Sequence, residues 1–540
     1  MTPLVPLDIF AAKAYGLKQW QDEFSWPVSD QEFVGLCDAI EGVIAAHINA
    51  APSLVSDALL VKRNLPFEYW HFLHALWVLE RIRGSGAEPL ASKHSLWYGA
   101  LLDGTYLKTN YSLSGKRSVI WHHPPSLRSA LVTRSRAFVD TLRLNAVPRK
   151  VFSRMSGQYG SVFGRPDELS KSYVAQLPYW VSVQHEHDWL GDMRTVSLSD
   201  TERAILGEVA HAITSELQRI AAGYAISLNA GHLSYLERFT EGQLCDAAVA
   251  LASFRTVSSV RRSHPFFAPV LHAPIQRVIA IGVREAGGAV TSFAHGGVVG
   301  LFNSPTSALN EFALADEFVT YTKGSVSLFE KILASRPALR GNTVQILSAN
   351  SDQYLRLHTM FAATPPPPKV RRVMVVAFPH APWRKPQGSG VFSPMHLDLE
   401  LRLVRQLCVA GFEVVYKAHP DRLREIEGIF DDGVTVLTED FQHVQDHADA
   451  YVFGSIRTTA FPIALCTNKP IVGIIMNPEH PVPFSEALVL LEKRCAMVRS
   501  TFDERNRINV DVERIAEILK QTPEKPNTEF LEQYYFPSKD

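Results

Sequence analysis

The stretch Phe412-Glu413-Val414-Val415-Tyr416-Lys417-Ala418-His419-Pro420 decides the fold class of the second half of this chain. Its apolar first part predicts a buried β-strand, and the polar residues and proline that follow predict a turn at the end of that strand. The same pattern returns at Asp449–Phe453, where a short strand runs into Gly454-Ser455-Ile456-Arg457-Thr458-Thr459 and then an apolar helix. Strands that alternate with helices predict a parallel sheet in an α/β fold.

The ends of these two strands carry hydrogen-bond donors that suit an anion. Open α/β sheets hold phosphates at the carboxyl ends of their strands and at helix N-termini. We therefore predict that this edge binds a sugar donor, with its phosphate in contact with Lys417, His419, Ser455, Thr458 and Thr459, and with Gly454 as a further donor-binding residue. Helix capping is the simpler role for the hydroxyl residues, and it is compatible with anion binding.

His-Pro alone is a weak signal, because the dipeptide occurs four times, at His123, His264, His419 and His480. Only His419 combines a preceding buried strand with a nearby lysine and a following helical segment. A strand-end imidazole can donate to a phosphate oxygen and, when protonated, offset the charge of a leaving nucleotide.

Composition limits the class of protein. A chain of 540 residues predicts two to four domains, and a net charge of -1 argues against a general nucleic-acid binder. The five cysteines are scattered without paired spacing, which fits a reducing cytoplasm better than a disulfide framework or a zinc site. We expect a cytoplasmic protein without a signal peptide or an apolar run of membrane-spanning length; peripheral association with the inner face of the membrane is compatible with this.

Four regions follow from the patterns along the chain. Residues 1–250 are predicted to be a helix-rich N-terminal region on the acceptor side. Residues 251–364 are predicted to be a first Rossmann-like unit, in which Arg277–Ile281 is expected to be a buried strand. Four prolines, Pro365–Pro368, form a stiff boundary. Residues 369–525 are predicted to be the nucleotide-sugar-binding unit, and residues 526–540 a tail.

One part of the N-terminal region is unusually basic. Residues 107–164 carry many arginines and histidines and have an irregular pattern. They could form an acceptor surface or a solvated, loop-rich face, and we favour the second.

Ala294-His295-Gly296-Gly297 is the third element of the predicted site. It ends a strand of the first unit, where Gly296 and Gly297 let the backbone approach a ligand closely. His295 is expected to face a cleft between the units from the side opposite His419. An ordinary strand-to-helix turn is the alternative.

These blocks resemble motifs of bacterial surface and capsular polysaccharide glycosyltransferases. The likeness lies in His-Gly-Gly, the following Glu311 and the strand Ala315–Thr320, and in Lys-x-His-Pro followed by Gly-Ser-x-x-Thr-Thr. The group includes transferases that use CMP-Kdo or CMP-sialic acid, and the motifs are also similar to those of CDP-glycerol glycerophosphotransferases. The resemblance covers about residues 276–475. It implies a GT-B fold, two Rossmann-like domains facing a cleft, in which His419 and the Ser/Thr cluster contact the donor phosphate.

The catalytic carboxylate is less well marked. Asp188, in a segment dense in titratable groups, and Glu237, on an expected helix, are candidates alongside His295. A surface role, paired with arginine in the case of Glu237, is the alternative for each. The chain has no Asp-x-Asp, the usual metal clamp of GT-A enzymes, so we expect no metal and no cofactor.

The sequence therefore predicts a metal-independent glycosyltransferase that moves a CMP-activated acidic sugar onto a glycan or lipid-linked acceptor, with no nucleic-acid partner. Transfer of a polyol phosphate from a CDP donor, and carbohydrate binding without catalysis, are the alternatives.

Overall fold

The computed structural model describes residues 3–93, 95–108, 127–145, 159–190, 193–296, 299–303, 308–335, 339–378, 393–430, 433–476 and 483–538. Within these residues, two six-stranded parallel sheets and a helical N-terminal part make up the fold. The expected α/β class with two parallel-sheet units is thus confirmed.

The first hundred residues are mainly helical. A capping box at Ser29 and Glu32 starts the longest of these helices, and nearly every side chain of the fifth is buried. The elements are β1 (Leu4–Pro6), α1 (Ile9–Tyr15), α2 (Leu17–Glu23), α3 (Asp30–Ala50), α4 (Ser53–Val61), α5 (Leu65–Gly84), β2 (Glu88–Leu90) and α6 (Leu96–Leu102).

One helix in the described part of the chain, α3, is long and apolar enough to cross a membrane. A core helix of a soluble domain passes the same test. Phe33, Leu36, Ile40 and Ile44 recur at helical spacing along α3 and are buried in the core.

The middle of the chain builds the first sheet. Its strands lie in the order β4-β3-β5-β6-β7-β8, all parallel. The elements are α7 (Leu127–Leu144), β3 (Tyr159–Phe163), α8 (Glu168–Gln176), β4 (Trp180–Gln184), α9 (Glu186–Leu190), α10 (Asp200–Gly223), α11 (Ala230–Arg255), α12 (Ser259–Arg262), β5 (Phe266–Ala268), α13 (Pro274–Glu285), β6 (Val290–Phe293), β7 (Glu317–Thr320), α14 (Lys323–Ser335), β8 (Gln345–Ser348) and α15 (Gln353–Ala362).

Two expectations for this unit need correction. Residues 277–281 lie in the helix α13, not in a strand. Residues 275–283 are all buried, and the short apolar run Val278–Val283 within them does not distinguish a buried helix from a buried strand. Moreover, β3 and β4 come from the region before residue 250, so a boundary there cuts through the first unit; the long helices α10 and α11 are inserted between β4 and β5.

The second sheet follows the proline boundary. Its strand order is β11-β10-β9-β12-β13-β14, again all parallel. The elements are β9 (Arg372–Val376), α16 (Ser393–Val409), β10 (Glu413–Lys417), α17 (Leu423–Ile426), β11 (Thr435–Leu437), α18 (Phe441–Val444), β12 (Ala450–Phe453), α19 (Ala460–Leu465), β13 (Ile471–Ile475), α20 (Ser485–Arg494), β14 (Ala496–Arg499), β15 (Thr501–Phe502), β16 (Ile508–Asn509), α21 (Val512–Lys520) and α22 (Glu529–Tyr534).

The end of the described chain is packed, which corrects the expectation of a tail over residues 526–540. The side chains of Phe530, Leu531 and Tyr534 in α22 are buried. The helix lies against α20 of the second unit and α14 of the first, and the Thr322 hydroxyl donates to the Tyr534 carbonyl at 2.9 Å.

Candidate functional site

The predicted phosphate-binding residues lie at the switch point of the second sheet. The chain leaves β9 towards β10 and leaves β12 towards β13, so the connections from the carboxyl ends of these two neighbouring strands diverge. Ligands of doubly wound sheets bind in the crevice at this place. Lys417 and His419 end β10, and Gly454 and Ser455 end β12, so the structure brings both predicted strand ends to one crevice.

At the end of β10, Lys417 is buried, and its Nζ donates to the Ala418 carbonyl at 2.6 Å. Burial lowers the pKa of Lys417, against the opposing effect of Asp440 and Glu439. His419 is half-buried, and its carbonyl accepts a hydrogen bond from the Arg422 backbone at 2.9 Å. The polar turn predicted after this strand is therefore present.

A buried ion-pair network of Arg422, Glu400 and Tyr416 stabilises this turn. The Arg422 guanidinium donates to both Glu400 oxygens at 2.9 and 2.8 Å, and the Tyr416 hydroxyl donates to Glu400 at 2.8 Å. Arg422 also donates to the Phe378 carbonyl at 3.2 Å, where β9 has just ended. The network fixes the ends of β9 and β10 relative to each other.

At the end of β12, one hydroxyl lacks a partner. The Ser455 hydroxyl accepts a hydrogen bond from the Arg457 backbone at 3.2 Å, as a turn-capping residue does. Thr458 is 8% exposed, and its Oγ1 is buried without a hydrogen-bond partner among the described residues. An unpaired buried hydroxyl is costly, so this atom suits a bound ligand. The following helix α19 has only six residues, which limits its macrodipole.

Arg457 is the main residue that the sequence prediction did not assign. Its guanidinium lies 5.5 Å from the centre of the Phe302 ring, which belongs to the first unit. Burial lowers the pKa of Arg457, and none of the described carboxylates pairs with it. In Gly-Ser-x-x-Thr-Thr it occupies an unspecified position; only its place between Ser455 and Thr458 could have marked it.

The first unit meets this turn directly. Gly296 has a φ of +74°, and a Cβ placed on it would lie 2.9 Å from Cγ2 of Thr459. The units also touch where the Phe484 backbone donates to the Leu301 carbonyl at 2.9 Å. The His-Gly-Gly segment and the Ser/Thr turn thus face each other across the boundary between the two units, which we call the seam. Gly297 lies outside the described residues.

His295 is exposed at this seam and belongs to a charged cluster. Its ring lies edge-on to His272, with 5.6 Å between the ring centres, and His272 Nε2 is 3.7 Å from Glu311 Oε1. The Arg63 guanidinium donates to the His272 carbonyl at 3.0 Å and to the Asn310 side chain. The buried Glu311 carboxylate therefore lies beside the His272 imidazole, which in turn contacts the ring of His295.

The charges around Glu311 favour its ionised form. Burial alone raises the pKa of Glu311, but contact with His272 and the charges of Arg63 and His295 outweigh it, so the pKa lies below its usual value. Burial lowers the pKa of His272 despite the opposing carboxylate. A carboxylate behind a neutral imidazole is an arrangement that can accept a proton and stabilise the resulting charge.

Asp188 and Glu237 have partners of their own outside this cluster. Asp188 accepts a hydrogen bond from the His185 backbone at 2.8 Å at the start of α9, and its carbonyl accepts one from Arg261 at 2.7 Å. Glu237 has 43% of its side chain exposed and lies 3.2 Å from Nδ1 of His211 on the neighbouring helix. Local capping and surface pairing account for the contacts of both.

Two further features lie elsewhere. A cavity of about 680 Å³ opens at the amino edge of the first sheet, lined by Asp57, Arg284, Asp316 and Arg340. Its charges pair with each other, Arg284 with Asp316 at 3.1 Å and Arg340 with Asp57. In the described ranges no group of three or more His, Cys, Asp or Glu side chains could hold a metal ion.

Comparison with known proteins adds no relative. No protein-family model matches the chain, and no curated protein matches its sequence.

Proposed function

We propose that this chain is a glycosyltransferase of the GT-B type that uses a CMP-activated acidic sugar, with the second sheet as the nucleotide side. The observation that carries the proposal is the Thr458 hydroxyl, which is buried without a hydrogen-bond partner among the described residues, together with the Arg457 guanidinium, at the seam where Gly296 meets Thr459. Both groups can donate hydrogen bonds, and no carboxylate in the described part of the chain pairs with the cationic guanidinium, which suits an anionic ligand.

The seam offers donors from two strand ends. Arg457 presents a planar fork that matches two phosphate oxygens, and Thr458 adds a hydroxyl beside it. His419, at the end of β10, lies across the switch point and adds an imidazole, and Ser455 shapes the turn. These groups would offset the charge of the departing nucleotide phosphate.

The first unit supplies the base. The acceptor hydroxyl gives its proton to the imidazole of His295, and its oxygen bonds to the anomeric carbon. The bond from that carbon to the phosphate oxygen breaks, and the electron pair leaves with the nucleotide. Glu311, acting through His272, stabilises the positive charge that forms on the imidazoles.

Nucleotide binding first tests whether Arg457 and Thr458 contact the donor phosphate. Full-length protein is titrated with CMP, CDP, UDP and GDP by calorimetry. We expect CMP to bind, and Arg457→Ala to weaken it about 10- to 100-fold, as the loss of a charge-assisted contact implies. Arg514→Ala, at an exposed position of α21, is the matched control and should change nothing.

Thr458→Val separates binding from stability. Because the hydroxyl has no protein partner among the described residues, the isosteric valine should leave thermal stability unchanged or slightly higher. The same change should weaken CMP binding about fivefold. Binding of UDP or GDP alone would overturn the CMP assignment. A destabilised Thr458→Val variant with normal CMP affinity would overturn the claim that Thr458 contacts the nucleotide phosphate.

Turnover then identifies the transferred group. Release of CMP from CMP-Kdo or CMP-sialic acid supports sugar transfer, whereas release from CDP-glycerol alone supports transfer of a polyol phosphate. His295→Ala should abolish release while CMP affinity stays within about twofold of wild type. Nucleotide binding without any donor turnover would favour a non-catalytic carbohydrate-binding protein.

A further inference from the structure

The helix α7 is fixed to the free edge of the first sheet by two polar side chains. The Asn145 amide accepts from the Val181 backbone at 2.9 Å and donates to its carbonyl at 2.7 Å. The Thr141 hydroxyl accepts from the Val183 backbone at 2.9 Å. These bonds cover the edge strand β4 and determine which face of α7 points outward.

The outward face of α7 is apolar. Phe138, Val139 and Leu142 are 63%, 44% and 47% exposed, whereas Ala137 and Leu144 on the opposite side are buried. At about 100° per residue, the three exposed side chains fall within about 100° of the helix circumference. Isolated exposed apolar residues need no explanation, but three within five residues indicate an interaction surface.

Positive charge flanks this face. Arg136 and Arg143 are exposed on one side of the apolar stripe. Between residues 104 and 160 the sequence has ten lysines and arginines against a single acid, Asp140, although the whole chain has a net charge of -1. The compensating acidic excess therefore lies elsewhere in the chain. The sequence around α7 is strongly cationic, and Arg136 and Arg143 are the exposed cations of this segment whose side chains the structure describes.

We propose that the α7 face, defined by Arg136, Phe138, Val139, Leu142 and Arg143, binds an anionic phospholipid bilayer. Apolar side chains beside arginines on one helix face are typical of helices that lie in the membrane interface. A second copy of the chain would bring two cationic segments together, which their repulsion opposes. A nucleic acid would pair with the arginines but would leave the apolar stripe exposed. The proposal does not depend on the glycosyltransferase assignment.

Vesicle sedimentation with the full-length protein tests the proposal. Vesicles are made of phosphatidylcholine alone or with about one third phosphatidylglycerol. We expect at least about tenfold stronger partitioning onto the anionic vesicles, decreasing with salt. Arg136→Gln with Arg143→Gln should weaken it about 20- to 30-fold, since each charge is worth about 1 kcal/mol, or about fivefold.

A triple variant tests whether the apolar stripe contributes to binding. Phe138→Ser, Val139→Ser and Leu142→Ser together should weaken partitioning at least about tenfold without lowering thermal stability, because these side chains face outward. The control carries the same change at three exposed apolar residues on other helices, Met360, Val409 and Val489, and should bind like wild type.

Three outcomes would overturn the proposal. The first is no binding of the wild type to anionic vesicles. The second is an equal loss in the control triple variant. The third is normal vesicle binding by the apolar variant, which would leave only a cationic surface for a soluble polyanion.

Discussion

Replacing Gly296 with alanine tests whether the two walls of the seam touch. Two costs follow from the structure. The residue has a φ of +74°, and a left-handed conformation costs an L-residue about 1–2 kcal/mol. The new methyl would also lie 2.9 Å from Cγ2 of Thr459, well inside the ordinary contact distance of about 3.5–4.0 Å. Because Thr459 is exposed and can shift, we assign this contact about 1 kcal/mol, the lower end for overpacking.

Gly287 separates the two costs. It has a φ of +82°, and a Cβ placed on it would have nothing within 4 Å. Gly287→Ala should therefore cost about 1 kcal/mol, and Gly296→Ala about 2 kcal/mol, in the free energy of unfolding measured in urea by tryptophan fluorescence. Thr459→Ser removes the opposing methyl, so in that background Gly296→Ala should again cost about 1 kcal/mol.

The double-mutant cycle has a clear refuting result. If Gly296→Ala costs the same as Gly287→Ala, and Thr459→Ser does not change that cost, the two units do not contact each other at this point. The reasoning that places His295 and Thr458 in one site would then fail.

Three other perturbations have expected signs. Burial raises the pKa of Glu425 to about 7. Between pH 4.5 and 7 the native state therefore binds more protons than the unfolded state, and the free energy of unfolding falls as pH rises. Glu425→Gln should remove about 3 kcal/mol of this decline, measured by urea unfolding at pH 4.5 and 8. Glu311→Gln removes the carboxylate that stabilises positive charge on His272 and, through it, on His295, so turnover should fall with CMP affinity unchanged; unchanged turnover would contradict that role. Asn145→Ala leaves the Val181 N–H and C=O unpaired and should cost about 2 kcal/mol without changing CMP affinity; a neutral result would mean that water replaces the amide.

Local patterns were sufficient to predict the second unit. Its strands are short apolar runs with polar ends, and they alternate with helices along the chain without a long insertion. The positions of Lys417 and Gly454 at one edge follow from the parallel arrangement alone. The pairing of β3 and β5 was not predictable in this way, because about a hundred residues and two long inserted helices separate them.

The residues of the candidate site divide along the same line. Ser455 and His419 have a local signal, a strand end followed by a turn. Arg457 lacks one, since its significance comes from the absence of a described carboxylate around it and from Phe302 in the other unit. From the sequence alone, Glu311 could be recognised only as part of a motif, because its partners His272 and Arg63 are distant in sequence.

The return of α22 onto the first unit gives the molecule a second crossing between its halves. Asn468 donates to the Ala362 and Thr364 carbonyls beside the proline segment, and Gly324 lies so close to the Gln533 carbonyl that no side chain would fit there. The backbone hydrogen bond from Phe484 to Leu301 and the contact of Arg457 with Phe302 also tie the two units together. We therefore expect the seam at Gly296 and Thr459 to open only if these contacts break as well.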